Sequence, residues 1–332
     1  MYMVPRDRSI EVRTPAKINL FLEVLSRRPD GFHEIETLMS AVSLFDRFDF
    51  TPQDSGRLDF SCQWATGVQG ERWPDGLSRQ PELPSTENNL AFLALQKLQE
   101  HTEVPLHGTV RLVKRIPAAA GLGGASSDAA AALLGANVAW KLGKSLDQLS
   151  LLSSELGSDI PFFFQRYAAV CQGRGERIAR QVMAPRLHLV IVRPPEGLST
   201  PAVYRACRPA SAPRQVQSLL AAWQRGRIRE LAGFLYNGLE EPASRLSPWI
   251  DRLNKEFLTT ACLGCRMSGS GTSYFGVYRT AACARRAAAL LRSRGVGQVF
   301  YAVTLSQGLS SLAAGALTDR IRPYGGDDRG NN

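Results

Sequence analysis

The sequence has little of what metal or redox chemistry requires. Its 332 residues include only four histidines and six cysteines, and only Cys262 and Cys265 have the two-residue spacing of a metal-binding or redox pair. A zinc ribbon needs a second such pair, which the chain does not contain. We therefore expect no dedicated metal site, and we expect the cysteines to be reduced, mostly buried thiols.

Long hydrophobic runs are also absent. No apolar stretch approaches the roughly 20 residues that a membrane-spanning helix needs. Residues 1–13 carry several charges and no apolar core of a signal peptide. We therefore expect a cytoplasmic protein that does not associate with membranes.

Long basic runs are missing as well, although the net charge is +10, from 40 basic and 30 acidic residues. Such a charge suits anionic partners of any size. The arginines are scattered, and no basic motif interleaved with aromatic residues is present, so we expect no nucleic-acid partner. An apolar content of 44% over this length predicts a globular chain with two domains.

The most informative segment that is present is a glycine-rich turn, Pro117-Ala-Ala-Ala-Gly-Leu-Gly-Gly-Ala-Ser-Ser-Asp128. A strand is predicted before it, at 109–113, and an alanine-rich helix after it, at 128–140. Such a turn exposes backbone N–H groups at a helix N-terminus, where a phosphate is favoured. The turn is not a Walker loop, because no Gly-Lys-Ser/Thr follows the glycines, and it does not complete a Rossmann fingerprint. We interpret it as a phosphate-binding loop to which Ser126 and Ser127 contribute hydroxyl groups.

Hydrophobic periodicity and capping residues predict the other elements. Strands are predicted at 11–13, 17–25, 36–44, 47–50, 58–62, 162–164, 168–172, 187–192, 274–278 and 299–304. Helices are predicted at 90–100, 145–156, 216–235, 249–258 and 280–292. Ser145 and Gln148 have the spacing of a capping box. We place an N-terminal domain at 1–185, a C-terminal domain at 186–305 and a polar tail, predicted to be disordered, at 306–332. Residues 53–86 form a loop-rich excursion.

Five motifs together resemble the GHMP kinases, the superfamily of galactokinase, homoserine kinase and mevalonate kinase. They are Thr14-Pro-Ala-Lys17-Ile-Asn19-Leu, Asp30-Gly-Phe-His33, the turn at 117–128, Gly157-Ser-Asp159-Ile-Pro161 and Ser268-Gly-Ser-Gly-Thr272. The resemblance extends from residue 12 to 304. It implies an α+β, two-domain GHMP kinase fold with the active site in the inter-domain cleft. It also implies an ATP-dependent kinase that acts on a small-molecule substrate.

Two residues are candidates for catalysis. Lys17 lies in an otherwise apolar strand, where an ammonium group should be paired or functional because burying its charge is costly. Asp159 follows a helix in a tight turn, which suits a positioned carboxylate. The resemblance implies that Asp159 is the catalytic aspartate and that Lys17 is its partner.

The resemblance also implies an acceptor site. Within the superfamily, the sequence more closely resembles the members that phosphorylate the 2-hydroxyl of a cytidylyl-linked methylerythritol in the non-mevalonate isoprenoid pathway. Asn19 would lie near the polyol and diphosphate. Phe32 and His33 would bind cytosine, which stacks on aromatic rings. The predicted substrate residues of the C-terminal half are Thr200, Tyr204, Gly269 and Thr272.

For ATP, the co-substrate, the resemblance implies contacts near the adenine from Asn89, Leu90 and Lys114. Contacts with the phosphates are expected from Pro117, Gly121, Gly123, Gly124, Ser126 and Ser127. Mg²⁺ is expected to arrive with ATP and to keep several waters. Ala119 and Ala125 stand where the family often has glycine. If either position needs a positive φ, alanine costs on the order of 1 kcal/mol.

Three alternatives stay open at this point. The first is another GHMP small-molecule kinase, such as homoserine or mevalonate kinase, which the Asp30-Gly-Phe-His33 motif disfavours. The second is a non-catalytic nucleotide-binding protein of the same fold, which the presence of both Lys17 and Asp159 disfavours. The third is a basic nucleic-acid-binding protein. The expected oligomeric state is a monomer or a weak homodimer.

Overall fold

The computed structural model describes residues 1–66, 82–165, 167–183 and 185–306. The centre of the predicted excursion, at 67–81, and the predicted disordered tail, from residue 307 onward, lie outside the described residues. Among the helices of the described ranges, none combines the length and apolar character needed to cross a bilayer.

A large sheet forms the N-terminal half. Its strands are β1 (Tyr2–Pro5), β2 (Ile10–Arg27), β3 (His33–Pro52), β4 (Leu58–Trp64), β5 (Gly108–Lys114), β6 (Ala168–Gly173), β7 (Arg177–Gln181) and β9 (Tyr236–Asn237). The order is β1-β2-β3-β5-β4, with β6 joining β3 to β7 and with β9 parallel to β2. β2 and β3 pair along nearly their whole length, with register shifts after Pro15, after Asn19 and after Val24. Lys17 lies between the first two of these shifts.

Helices cover one side of this sheet. They are α1 (Leu90–Thr102), α2 (Gly124–Ala139) and α3 (Leu146–Ser154). The alanines in the middle of α2, at 129–132 and 136, are fully buried, because small side chains let the helix lie close to β2 and β3. The Asn89 side chain caps α1, and Ser145 and Gln148 form the predicted capping box of α3, which confirms both helix starts.

The second sheet is antiparallel, in the order β10-β11-β8-β12. Its strands are β8 (His188–Arg193), β10 (Gly264–Met267), β11 (Tyr274–Tyr278) and β12 (Gln298–Val303). The helices of this half are α4 (Thr200–Ala206), α5 (Gln217–Gln224), α6 (Ile228–Gly233), α7 (Glu240–Leu246), α8 (Pro248–Leu258) and α9 (Ala281–Ser293). The predicted α+β fold class is therefore confirmed.

The two halves share backbone pairing and core. Strand β9, from the C-terminal half, pairs with β2 in the first sheet. Val42 forms a β-bridge with Thr304, and the N–H of Leu305 donates to the carbonyl of Ala41 at 2.9 Å. One buried cluster contains Ile18 and Phe21 from β2 together with apolar side chains of β8 and α5. The division predicted at residue 185 stays a prediction, and the core is continuous across it.

Several predicted elements differ from the structure. The strand predicted at 162–164 is a 3-10 helix, Pro161–Phe164, because Pro161 occupies a first-turn position and Phe162 and Phe163 both insert into the core. The helix predicted at 216–235 is two helices, separated where Gly226 has φ +64°. The two strand pairs predicted within residues 11–50 are the single strands β2 and β3, since bulges carry the pairing through.

All six cysteines are free thiols. Cys171, Cys207 and Cys265 are buried, whereas the other three are half-buried, so the expectation of mostly buried thiols holds for half of them.

Candidate active site

Lys17 and Asp159 meet at the predicted centre of the site. The Lys17 Nζ lies 3.2 Å from Asp159 Oδ2 and donates to Asn19 Oδ1 at 2.8 Å. The Lys17 side chain is only 5% exposed, whereas that of Asp159 is 32% exposed. Asn19 also donates from Nδ2 to Thr37 Oγ1 at 2.8 Å, which fixes the amide orientation. The lysine charge is thus held by two oxygen partners, and the carboxylate faces open space.

Local packing positions Asp159. Helix α3 ends at Ser154 and the 3-10 helix begins at Pro161, so Asp159 lies in a short turn between two anchored elements. Ser153 before it and Ile160 and Phe162 after it are buried. The carboxylate therefore projects from a turn whose neighbours are fixed in the core.

The glycine-rich turn crosses directly over Lys17. The N–H of Lys17 donates to the carbonyl of Leu122 at 2.9 Å. Gly123 has φ +68° and caps α2, and a Cβ there would lie 2.8 Å from Lys17 Cγ. Helix α2 begins at Gly124 rather than at Asp128 as predicted, so Ser126 lies in its first turn, where the unpaired N–H groups and the helix dipole favour an anion.

Ala119 and Ala125 differ in backbone conformation. Ala119 has φ +50°, in the left-handed region that alanine disfavours, whereas Ala125 is an exposed residue of the first turn of α2. The strain considered for both positions therefore applies to Ala119 only.

Lys114 is enclosed by two carboxylates. Its Nζ lies 2.5 Å from Asp46 Oδ2 and 2.5 Å from Asp128 Oδ2, and all three side chains are buried. Burial acts against the Lys114 ammonium, but the two carboxylates outweigh it and raise the pKa of Lys114. Burial likewise raises the pKa of Asp128 well above its ordinary value, against the opposing charge of Lys114. Asp46 Oδ1 accepts from the N–H of Ile116 at 2.8 Å and from that of Arg115, so this cluster anchors the start of the glycine-rich turn.

The second glycine-rich loop packs against the first. Ser268 Oγ donates to the carbonyl of Gly121 at 2.9 Å, and the N–H of Ser273 donates to that of Ala120 at 3.1 Å. At Gly121, with φ +71°, a Cβ would lie 2.1 Å from the Ser268 carbonyl oxygen. At Gly269, a Cβ would lie 3.3 Å from Lys17 Nζ, so this loop also reaches the Lys17–Asp159 pair.

A cavity of about 730 Å³, here called the loop cavity, opens above these groups. Of the predicted site residues, those that line it are Lys17, Asn19, Asn89, Leu90, Lys114, Pro117, Gly121, Gly123, Gly124, Ser126, Asp159, Thr200, Tyr204 and Gly269. The walls come from both predicted domains. Its volume and its mixture of backbone and charged groups suit a nucleotide with a second substrate beside it.

An adjoining cavity of about 660 Å³, here called the ring cavity, contains the predicted aromatic residues Phe32, His33 and Tyr204. The rings of His33 and Tyr204 lie 5.2 Å apart, whereas Phe32 is 52% exposed. Burial, assisted by the charge of Arg27, lowers the pKa of His33, so its imidazole is neutral at neutral pH and offers one donor and one acceptor. Such a group suits the edge of a nucleobase.

Two predicted residues lie apart from both cavities. Ser127 is fully buried, donates to the carbonyl of Pro15 at 2.6 Å and contacts the Thr14 hydroxyl. Thr272 is also fully buried and donates to the carbonyl of Glu196 at 2.7 Å. Both support loop backbones in this structure.

Sequence reasoning missed Asp46, Asp128 and Arg174. The acidic residues give only a weak signal, because Asp46 falls between two predicted strands and Asp128 at the start of a predicted helix. Arg174 has a clearer one, because it stands between two glycines, which are typical of a tight turn. Within the described ranges, His, Cys, Asp and Glu side chains form no cluster of three able to hold a metal ion.

Comparisons with known protein families match both halves of the chain. Residues 89–166 match the family "GHMP kinases N terminal domain", and residues 219–297 match "GHMP kinases C terminal".

Named relatives match over most of the chain. The 4-diphosphocytidyl-2-C-methyl-D-erythritol kinase of Pelotomaculum thermopropionicum is 38% identical over 279 residues, which are 83% of this chain and 92% of that protein. The protein of the same name from Gloeobacter violaceus is 33% identical over 309 residues, which are 91% and 96% of the two chains. A crystal structure of 4-(cytidine 5'-diphospho)-2C-methyl-D-erythritol kinase has a TM-score of 0.72 at 35% identity, covering 89% of this chain and 100% of that chain.

Proposed function

This chain belongs to the GHMP kinase family, among its 4-diphosphocytidyl-2-C-methyl-D-erythritol kinases, and from that premise we propose how its two cavities divide the reaction. The enzyme transfers a phosphoryl group from ATP to the 2-hydroxyl of the methylerythritol moiety, a step of the non-mevalonate isoprenoid pathway. The loop cavity holds ATP and the reacting hydroxyl, and the ring cavity holds cytosine. The carrying observation is the Lys17–Asp159 ion pair at 3.2 Å, between the glycine-rich turn and the ring cavity.

The glycine-rich turn holds the phosphates. Backbone N–H groups at the start of α2, with the Ser126 hydroxyl, bind the triphosphate, and the absence of a Cβ at Gly123 leaves room beside Lys17. Asn89 and Leu90 at the start of α1 form part of the adenine pocket. The Lys114 ammonium is already paired with Asp46 and Asp128, and it stabilises this pocket through those two ion pairs.

Asp159 orients the acceptor hydroxyl and accepts its proton as the bond to phosphorus forms. Lys17 keeps the carboxylate in place and contributes positive charge near the transferring group. Asn19 contributes an amide beside the same position and fixes the Lys17 ammonium.

Mg²⁺, expected with ATP, would neutralise phosphate charge when bound. The oxygen donors suit this ion, since the Ser126 hydroxyl and the Asp159 carboxylate line the same cavity. These two residues would hold it together with phosphate oxygens and water, in keeping with the preference of Mg²⁺ for retained waters.

Cytosine binds in the ring cavity between Phe32 and Tyr204, with the His33 edge directed at the base. The polyol then extends toward Asn19, Thr200 and Gly269 in the loop cavity, where Thr200 Oγ1 lies 2.7 Å from Ser270 Oγ.

We further propose that the enzyme works in the cytoplasm and that it is a monomer or weak homodimer. Sedimentation velocity over a range of protein concentrations would test the oligomeric state.

The direct test is an acceptor panel with the purified protein, ATP and Mg²⁺. We expect ADP formation with 4-diphosphocytidyl-2-C-methyl-D-erythritol, and none above background with homoserine or mevalonate. Cytidine diphosphate, which lacks the polyol hydroxyl, should compete with the acceptor without being phosphorylated. Turnover of homoserine or mevalonate in place of the cytidylyl substrate would contradict the proposal.

A further inference from the structure

Arg174 lies at the junction of the two cavities. Four described residues line both of them, Arg174, Thr200, Pro201 and Tyr204, and Arg174 is the charged member of that set. It is at the tip of the turn between β6 and β7, flanked by Gly173 with φ +75° and Gly175 with φ +113°. A Cβ at Gly175 would lie 3.1 Å from Asp159 Oδ1, so this turn is held directly beside the catalytic carboxylate.

The charge of Arg174 is weakly compensated within the described residues. Its Nε lies 4.0 Å from Glu176 Oε2, and that same oxygen accepts from the Arg174 backbone N–H at 2.7 Å. The other cations of the loop cavity differ in this respect, because Lys17 is paired with Asp159 and Lys114 with two carboxylates. Arg174 is therefore the cation of the loop cavity that is best placed to take an anionic ligand.

The Arg174 guanidinium rests on the Phe32 ring, 4.8 Å from its centroid. The side chain of Arg174 is 34% exposed, and cation–π contacts at such exposed sites are weak. This contact also covers one face of the ring on which the base is proposed to stack. A ligand that offers Arg174 a stronger partner would free that face.

We propose that Arg174 binds the diphosphate of the acceptor substrate and that it leaves the face of Phe32 when it does so. The inference rests on the proposed function. With cytosine in the ring cavity and the reacting hydroxyl at Asp159, the diphosphate that joins them must cross the junction where Arg174 lies. A guanidinium binds two phosphate oxygens at once, which fixes the register of the substrate between the cavities.

Calorimetric titration of the ATP-free protein with cytidine and with cytidine diphosphate tests this role. In Arg174→Gln, we expect the affinity for cytidine diphosphate to fall by on the order of tenfold or more, while cytidine binds as it does to the wild type or slightly more tightly. Arg174→Lys should recover part of the loss, because it keeps the charge but not the planar fork. Steady-state kinetics should show a raised KM for the acceptor and an unchanged KM for ATP.

Arg177→Gln is the matched control. Arg177 lies on the same hairpin, pairs with Gln172 and Glu34, and is not among the residues that line either cavity. Its variant should bind both ligands as the wild type does. Thermal melts of all three variants identify any loss of folding. If Arg174→Gln does not fold, the affinities of Arg174→Lys for the two ligands provide the test.

Unchanged affinity of Arg174→Gln for cytidine diphosphate would overturn the proposal. Equal losses for cytidine and cytidine diphosphate would also overturn it, because they would place Arg174 at the base rather than at the phosphates. Failure of the proposed function gives a different result, in which the wild type itself binds neither ligand and phosphorylates no cytidylyl acceptor.

Discussion

At the residue scale, the proposed catalytic roles of Lys17 and Asp159 can be tested by substitution. Asp159→Asn keeps the shape of the side chain but removes the proposed proton acceptor, so we expect kcat to fall by roughly 10²–10⁴-fold with the fold intact. Lys17→Met should be similarly damaging while both substrates still bind. Glu155→Gln is a suitable control, because Glu155 is paired with Lys97 at 2.6 Å close to the same turn. Steady-state kinetics at saturating substrates measures all three, and an Asp159→Asn enzyme within a few-fold of wild type would remove Asp159 from the mechanism.

Two exposed alanines of the glycine-rich turn offer a second test at this scale. Ala119 has φ +50°, so Ala119→Gly should stabilise the protein by up to about 1 kcal/mol through relief of left-handed strain. Ala125 is helical, so Ala125→Gly should destabilise it by about 0.5–1 kcal/mol. Urea unfolding measures both, and effects of the same sign at the two positions would contradict the assignment.

At the element scale, the glycine-rich turn depends on space as well as on backbone freedom. Gly121 and Gly143 have nearly equal φ values, +71° and +70°, but a Cβ at Gly121 would lie 2.1 Å from the Ser268 carbonyl oxygen, whereas a Cβ at Gly143 would meet nothing within 4 Å. Gly143→Ala should therefore cost only the left-handed strain, about 1–2 kcal/mol, and should leave nucleotide binding unchanged. Gly121→Ala should cost more and should also weaken binding of an ATP analogue. Urea unfolding and calorimetric titration together measure this, and identical behaviour of the two variants would be evidence against a tight junction between the loops.

The elements that sequence patterns predicted well are those with local signals. The helix start at Leu90 followed from the Asn89 cap, and the Ser145–Gln148 box fixed the start of α3. The strand prediction at 162–164 was wrong because a run of buried aromatic residues is compatible with both a strand and a 3-10 helix. Only tertiary packing distinguishes the two.

The residues of the site likewise divide into those with a local sequence signal and those whose positions depend on tertiary contacts. Motifs marked Lys17 and Asp159, which the fold brings within 3.2 Å of each other. The roles of Asp46 and Arg174 depend on contacts between residues distant in sequence, such as Asp46 with the Ile116 N–H, and no local pattern encodes those contacts. Burial of Ser127 and Thr272 is likewise set by packing of whole loops.

At the scale of the whole molecule, the continuous core predicts one unfolding event. β9 pairs with β2, and residues near 304 pair with residues near 42, so neither half can unfold without exposing the other. Differential scanning calorimetry should show a single transition with equal calorimetric and van't Hoff enthalpies. Residues 1–185 expressed alone should lack cooperative unfolding. Two resolved transitions, or an independently folded fragment, would mean that the shared pairing contributes little.

The hydrogen bonds between the two glycine-rich loops have a consequence for the order in which substrates act. Ser268 and Ser273 tie the loop beside the acceptor to the carbonyls of Gly121 and Ala120. Ordering of one loop by its ligand therefore orders part of the other, so the two binding equilibria are thermodynamically linked. Linkage is reciprocal, so an ATP analogue and cytidine diphosphate should each tighten the other's dissociation constant by the same factor. Replacement of Ser268 by alanine should bring that factor toward one, turning a cooperative pair of ligands into two independent ones.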